Sequence, residues 1–305
     1  MFQALSGLLK PCYIFAPGTL LRRVSLRFNS PESGQAMVDL PWGMQIEVNL
    51  NDQIGSEIFR QRIFDLAVSE CAWRLLAPGD RVIDAGANIG YMTMLFAARV
   101  APAGEVHAFE PHPEVVKRLQ ANVVRAQAGG GGPSIAVHQC ALGAGRGEAN
   151  LFESDYFSIN QGTASIANAP SAAATNGSKR HAVALETLDD LFPTERFALM
   201  KIDVEGFELE VLTGAERLLS SGRVRDVIYE DHSLGESGLA DRLTSHGYTV
   251  FAIGHGSLGP LLQDAATAQT GIDSSWESAS FLATRDAPRA LSLMKNKGWR
   301  VLRGS

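Results

Sequence analysis

The sequence predicts an α/β fold of the Rossmann-like kind, a mostly parallel sheet with helices on both faces. Three observations carry this. Short apolar runs (Val82-Ile83, Glu105 to Glu110, Phe197 to Val204, Val224 to Asp231) alternate with segments whose apolar residues recur at helical spacing. Each run closes on or near an acid, at Asp84, Glu110, Asp203 and Glu230-Asp231. A turn bracketed by Gly86 and Gly90 joins the first run to a helical segment, the place where an open α/β sheet receives a ligand.

The composition sets the class. A chain of 305 residues with 45% apolar residues can bury a full core. Its net charge of −6 argues against a nucleic-acid backbone as substrate, because such proteins carry a basic stripe. The three cysteines, Cys12, Cys71 and Cys140, are too scattered for a disulfide framework or a zinc site, which fits a reducing, cytoplasmic compartment. Met1 to Ala16 is broken by Lys10-Pro11 and makes a poor signal peptide and no bilayer span. Leu8, Leu9, Phe15, Leu20 and Leu21 beside Lys10, Arg22 and Arg23 leave peripheral membrane docking open. An arm packed on its own domain, or on a partner subunit in a homo-oligomer, is the plainer expectation.

In order, Val24 to Leu50 reads as short strands, SLRF and then MVDLPWGMQIEV, with Pro41-Trp42-Gly43 as a turn. Ile54 to Leu76 switches to helical spacing, with Ile58, Ile63, Phe64, Ala67 and Val68 on the buried face, and stops at Pro78-Gly79. Met92, Leu95, Phe96 and Val100 mark the helix after the glycine turn, and Pro102 and Gly104 end it. Pro111 and Pro113 force a turn before a helix from Glu114 to Arg125. A glycine loop at 129–133 precedes a strand from Ile135 to Leu142. Phe157 to Ser178 carries no charge and is expected to be a surface insertion or a lid, with Asn160, Gln161 and Ser165 as its polar contacts. His181 to Leu185 is a strand and Glu186 to Leu191 a short helical turn. A helix carrying Phe207, Val211, Leu212, Ala215, Leu218 and Leu219 ends at Gly222. Another with Leu239 and Leu243 stops at Gly247, and Tyr248 to Ile253 and Ala279 to Thr284 are the last strands.

The glycine turn also discriminates between ligands. Glu110 stands about two dozen positions after Gly86, where an acid accepts both ribose hydroxyls of a nucleoside. A dinucleotide fingerprint needs glycine where this chain has Asn88 and Tyr91. Asp84 would repel a pyrophosphate but favours a sulfonium or an amino group. These residues point to S-adenosyl-L-methionine rather than NAD.

VIDAGANIGY, then VHAFEPHPE, then LMKIDVEGFELEVLTGAERLL resembles the FkbM-type family of S-adenosylmethionine-dependent methyltransferases, and the third string is the most diagnostic. The resemblance covers roughly Leu76 to Asp231. It implies the class I methyltransferase fold, with seven strands of which the last is antiparallel, for residues 71–305. Residues 1–70 are then a small N-terminal extension of short strands and a covering helix. It further implies O-methylation of a hydroxyl on a small-molecule or glycan acceptor, such as a polyketide or related secondary metabolite.

The expected cofactor-binding residues are Asp84, Gly86, Asn88, Gly90 and Glu110, with Ala141, in Cys140-Ala141-Leu142, beside the adenine. Asp203, Glu205 and His232 are the expected catalytic residues, Asp203 first, because a hydroxyl acceptor must lose a proton. Asp203 and Glu205 could instead cap the helix that follows, and His232 could be structural. His255 is a weaker candidate. Asp203, Glu230 and Asp231 could converge on a divalent ion, but the sequence holds no compact ligand motif and no metal is expected. N-methylation, protein methylation, a nicotinamide-dependent oxidoreductase and a non-catalytic cofactor-binding module remain as rivals.

Overall fold

The computed structural model describes residues 34–128, 134–154, 157, 164–166, 179–231, 237–256, 258–265 and 279–303. The N-terminal leader with SLRF, His232, Asn160, Gln161 and the side chain of Ser165 lie outside the described residues.

The chain enters as a hairpin of β1 (Gln35–Asp39) and β2 (Gln45–Asn49), antiparallel around the expected turn. Leu40 and Gly43 close that turn, with Gly43 N–H donating to the Leu40 carbonyl at 3.0 Å. The helical stretch from Ile54 to Leu76, expected as one helix, is two: α1 (Gln53–Gln61) and α2 (Leu66–Leu75). The break is built from left-handed Arg62 (φ 60°) and Asp65 (φ 40°). Arg62 N–H closes α1 on the Ile58 carbonyl at 2.7 Å, and two further donors find side chains: Phe64 N–H reaches the Tyr91 hydroxyl at 3.0 Å, and Val68 N–H in the first turn of α2 reaches Asp65 Oδ1 at 3.1 Å. Asp65→Ala removes the cap and leaves alanine at a positive φ, so urea unfolding should register a loss of about 1–2 kcal/mol.

There follow β3 (Arg81–Ala85), α3 (Tyr91–Val100), β4 (Glu105–Phe109), α4 (Pro113–Gln127) and β5 (Ser134–His138). The strand expected to run to Leu142 stops at His138. β6 (Ala141–Leu142) leaves the main sheet and joins a second one with β7 (Gly147–Phe152), β8 (Ser165–Ile166) and β9 (Arg180–Glu186). Then come α5 (Leu188–Leu191), β10 (Phe197–Ile202), α6 (Glu208–Thr213) and α7 (Glu216–Ser220). The last two were expected as one helix. They divide at Gly214, where a Cβ would fall 2.0 Å from the Gly143 carbonyl oxygen. The chain closes with β11 (Val224–Asp231), α8 (Leu239–Ser245), β12 (Thr249–Gly256), β13 (Gly259–Asp264), β14 (Ala279–Thr284), α9 (Ala287–Met294) and a 3₁₀ turn at Arg300–Leu302.

The main sheet runs β5-β4-β3-β10-β11-β14-β12-β13. The strands from β5 to β11 are parallel, and β14 is antiparallel to both of its neighbours. This is the expected Rossmann-like methyltransferase sheet with an eighth strand, β13, added at the edge. The order reverses between β3 and β10, so the carboxyl ends of these strands open a crevice. One face, with Val82, Val106 and Leu199, packs under α2, α3 and the hairpin; the other, with Ile83, Met200 and Val227, packs against α6, α7 and α8. Helix α2 is buried along its length. Its Glu70–Arg74 pair, 2.6 Å apart, reaches the Val301 amide and the carbonyls of Leu293, Met294 and Asn296, so the C-terminal segment is bound to the sheet through α2. Among the described residues no helix is long and apolar enough to cross a membrane.

Candidate active site

The crevice holds a cleft of about 280 Å³. Its floor is the turn after β3. Gly86 sits at φ 80°, and a Cβ there would fall 1.8 Å from the Asp203 carbonyl oxygen. The turn therefore lies against the tip of β10, and Asp203 N–H donates back to the Ala85 carbonyl at 3.1 Å. The amides of Gly86 and Ala87 both donate to the Phe109 carbonyl, at 3.0 and 2.9 Å, which binds the turn to the tip of β4 as well.

Glu110 is held across that turn. Its Oε2 accepts from Asn88 N–H and its Oε1 from His112 N–H, each at 2.9 Å. Asn88 can present its amide because it adopts φ 50°, and its own Oδ1 accepts from Ile89 N–H at 2.7 Å. Each carboxylate oxygen keeps a second lone pair for a ligand. Burial pushes the Glu110 carboxyl up to about 7, against the pull of the two amides, and Asp84 and Asp203 add to the rise.

Two residues expected to touch the cofactor stand behind the wall. Asp84 is fully buried; its Oδ2 accepts from the Thr93 hydroxyl at 2.6 Å, and its Oδ1 has no hydrogen-bond partner among the described residues. Gly90 opens α3 at φ 97°, and a Cβ on it would meet Leu119 of α4 at 2.7 Å. Its glycine thus serves the packing of the turn on α4. Ala141 lines the cleft with Cys140 and Leu142, although from the second sheet. Phe109, also in the wall, stacks on His138 with ring centroids 4.4 Å apart.

The opposite side of the crevice carries the expected catalytic acids. Asp203 and Glu205 both line it, as does Glu230. Glu205 takes a left-handed backbone (φ 54°), followed by Gly206 at φ 91°. Burial first, then Asp203 and Glu208, raise its carboxyl to about 7. Neither acid caps the next helix, which has no side-chain cap; Glu208 Oε1 instead accepts from Gly206 N–H at 3.0 Å in the turn before it. Asp231 does not converge with Glu230: consecutive strand residues point to opposite faces, and Asp231 accepts from the Ser237 hydroxyl at 2.7 Å. His255 packs beside Trp299, with centroids 6.0 Å apart.

Lys201 was not legible as a site residue. It is 7% exposed and donates to Asp203 Oδ2 at 2.7 Å. Strand register aligns it with Asp84 on β3, and the twofold strand period places Asp203 on the same face. Burial opposes its charge, yet Asp203, Asp84 and Glu230 hold its proton on above the ordinary lysine range. The signal was present as one basic residue inside the otherwise apolar run that leads to Asp203 in FALMKIDV. Glu57 of α1, and Phe64 and Asp65 of the break before α2, also line the cleft and had no motif to mark them.

Beside the cleft, His112, Glu153 and His181 bring three potential metal ligands within 4.8 Å of one another. Glu153 Oε1 lies 2.8 Å from His181 Nε2 and 3.4 Å from His112 Nε2. His112 Nδ1, however, accepts from the amides of Glu114 and Val115 as the cap of α4. That tautomer places the ring proton on Nε2, whereas a metal-bound imidazole donates through its other nitrogen. The cluster therefore suits a hydrogen-bonded strap between the Glu110 turn and the second sheet.

The model of the Methyltransferase FkbM domain matches residues 84–250. The 31-O-demethyl-FK506 methyltransferase FkbM of Streptomyces tacrolimicus is 34% identical over 205 residues, covering 58% of this chain and 75% of that protein. Methyltransferase 1 of Beauveria bassiana is 30% identical over 180 residues, covering 53% of this chain and 66% of its own length. A crystal structure of Methyltransferase FkbM from Methylobacillus flagellatus KT aligns at 16% identity with a TM-score of 0.43, over 76% of this chain and 61% of that one. With the matched region spanning the glycine turn, Glu110 and the tip of β10, the chain belongs to the FkbM methyltransferase family.

Proposed function

We propose that this methyltransferase uses S-adenosyl-L-methionine to methylate a hydroxyl oxygen of a small-molecule or glycan acceptor, such as a polyketide or related secondary metabolite. The observation that carries the cofactor reading is Glu110, clamped by two backbone amides with lone pairs left over, opposite a glycine that only a Cβ-free residue can occupy. The residues present fit the cofactor. Glu110 would hold the ribose hydroxyls, the wall of Phe109, Cys140, Ala141 and Leu142 would hold the adenine, and Asp203, backed by Lys201, would face the amino acid portion. When bound, the cofactor supplies an electrophilic methyl group on a sulfonium. The chain's own work is then alignment and proton removal.

Glu205 suits proton removal: it lies in the cleft, and its carboxyl, near 7, takes up a proton readily around neutrality. Support for oxygen as the acceptor comes from the relative whose name describes 31-O-methylation of FK506. We further propose a cytoplasmic setting, which the buried free thiols of Cys71 and Cys140 suit.

Calorimetric titration with S-adenosylhomocysteine, with NAD as control, tests the cofactor. Saturable binding of the first alone is expected, and binding of NAD alone would overturn the assignment. Glu110→Ala should weaken S-adenosylhomocysteine by about 1.5–3 kcal/mol through lost charge-assisted bonds. Because the ionised carboxylate is the acceptor, affinity in the unmodified protein should rise as pH increases through about 7. Glu110→Gln should flatten that rise. The folding linkage has the opposite sign: this raised pKa favours the folded apo chain at low pH, and the advantage is lost as pH climbs from the ordinary glutamate range through about 7. Glu205→Gln should lower kcat by about 10²–10⁴-fold while leaving S-adenosylhomocysteine affinity within about a factor of three. Equal losses in both would move Glu205 to cofactor binding.

A further inference from the structure

The second sheet supplies one wall of the cleft through Ala141, Leu142, Leu151 and Ile166. Glu153 follows β7 in that sheet, and His181 lies on β9 opposite Leu151. Glu153 Oε1 meets His181 Nε2 at 2.8 Å and His112 Nε2, from the main sheet's side, at 3.4 Å. Lys179 Nζ stands 3.9 Å from Glu153 Oε2, and Glu153 N–H donates to the Lys179 carbonyl at 3.0 Å. Neither Glu153 nor either histidine lines the cleft, so any effect of the three on a ligand is indirect.

His112 is the link. It is 1% exposed, and its ring is held on every side. Nδ1 accepts from the Glu114 and Val115 amides, and Phe157 stacks on the ring with centroids 4.5 Å apart. Burial first, then His181, holds the ring below the ordinary histidine range, so it is neutral near pH 7. A neutral ring that accepts at Nδ1 carries its proton on Nε2, and Glu153 is the acceptor this proton faces. A buried N–H deprived of its acceptor is costly, so Glu153 fixes the ring's orientation. The backbone of the same residue donates to Glu110 Oε1 at 2.9 Å. Pro113 confines His112 to the extended conformation it adopts, φ −71° and ψ 123°, so ring and amide are placed together.

We propose that Glu153 is a positioning residue for cofactor binding: through the His112 ring it fixes the amide that clamps Glu110, and so ties the second-sheet wall to the ribose-binding carboxylate. The inference rests on the reading of Glu110 as the ribose acceptor given above. Because Glu153 acts through His112, its effect on a ligand disappears where residue 110 has no carboxylate to clamp.

Three variants separate this role from plain packing. Glu153→Leu removes the acceptor, and Glu153→Gln keeps an oxygen that accepts. His112→Asn keeps a good cap for α4 but lacks the outer nitrogen that faces Glu153. In the unliganded full chain, amide exchange over residues 110–115 should quicken in Glu153→Leu while that of β12 stays unchanged, and Glu153→Gln should restore it. Calorimetry should show S-adenosylhomocysteine affinity falling about tenfold in Glu153→Leu and in His112→Asn, the equivalent of one hydrogen bond. Glu153→Gln should recover it to within about threefold. Added to Glu110→Ala, Glu153→Leu should cost less than about threefold more, because the two changes remove one shared interaction. A full tenfold loss on top of Glu110→Ala, no rescue by Glu153→Gln, or unchanged exchange and affinity in Glu153→Leu overturns the proposal. If Glu153→Leu fails to fold, His112→Asn carries the same comparison. Absence of S-adenosylhomocysteine binding to the unmodified chain instead removes the cofactor reading itself, and the exchange data then decide whether Glu153 holds the Glu110 clamp.

Discussion

Gly86→Ala should abolish measurable cofactor binding, with a loss of more than about 3 kcal/mol, and should lower the melting temperature. An ideal Cβ at this position comes 1.8 Å from the Asp203 carbonyl oxygen and 2.8 Å from its carbonyl carbon. Both obstacles are backbone, so no side-chain rotation relieves the clash. Nor can the turn retreat, because the amides of Gly86 and Ala87 are committed to Phe109 and the tip of β10 is bonded back to Ala85. The positive φ adds about 1–2 kcal/mol for any residue with a Cβ. Displacing the turn moves Asn88 off Glu110, so the ribose site should be lost with the fold's local geometry. Calorimetry with S-adenosylhomocysteine and a thermal melt read the two effects separately. Affinity within about threefold of the unmodified protein, with an unchanged melt, would show that the turn does not contact the cofactor.

Lys201→Met should cost about 3–5 kcal/mol of folding stability near pH 8, because it leaves buried carboxylates without their cation. Asp84 is fully buried with one unpartnered oxygen, and Asp203 loses its 2.7 Å donor. Methionine nearly preserves the volume of lysine, so the loss is electrostatic rather than a cavity effect. The sign with pH follows from the carboxylates. Burial already pushes Asp84 above its ordinary value, and Lys201 is the first influence pulling it back. Without Lys201 the folded pKa rises further, so the variant is least stable above that value and regains stability as the acid protonates. In the unmodified chain the raised pKa of Lys201 keeps its contribution intact up to the ordinary lysine range. Urea unfolding near pH 5 and near pH 8 should therefore show a smaller deficit at the lower pH. A deficit equal at both would mean that Lys201 acts through packing alone.

The sequence reading was most secure where the physics is local. A buried parallel strand announces itself by an uninterrupted β-branched run, and a helix by spacing, so the alternation of the two was readable from composition along the chain. The turn at Gly86 to Gly90 and the placement of Glu110 against it were readable for the same reason: both depend on backbone freedom and charge at a short spacing. The family strings, from VIDAGANIGY to LMKIDVEGFELE, extended that reading to the tip of β10.

Only the tertiary structure decided which of these residues meet. It divided Ile54 to Leu76 into two helices, because Tyr91, 27 positions after Phe64, supplies the hydroxyl that satisfies the break. It moved Ala141 into a second sheet, since the edge of β5 pairs no farther than His138 while Ala141 finds Leu185 on β9. It set Asp84 and Gly90 behind the wall and brought Lys201 beneath it, through a register between strands more than a hundred residues apart. Periodicity constrains the face a side chain occupies along its own strand or helix. Which partners it finds across that face depends on long-range strand pairing, and no local spacing encodes it.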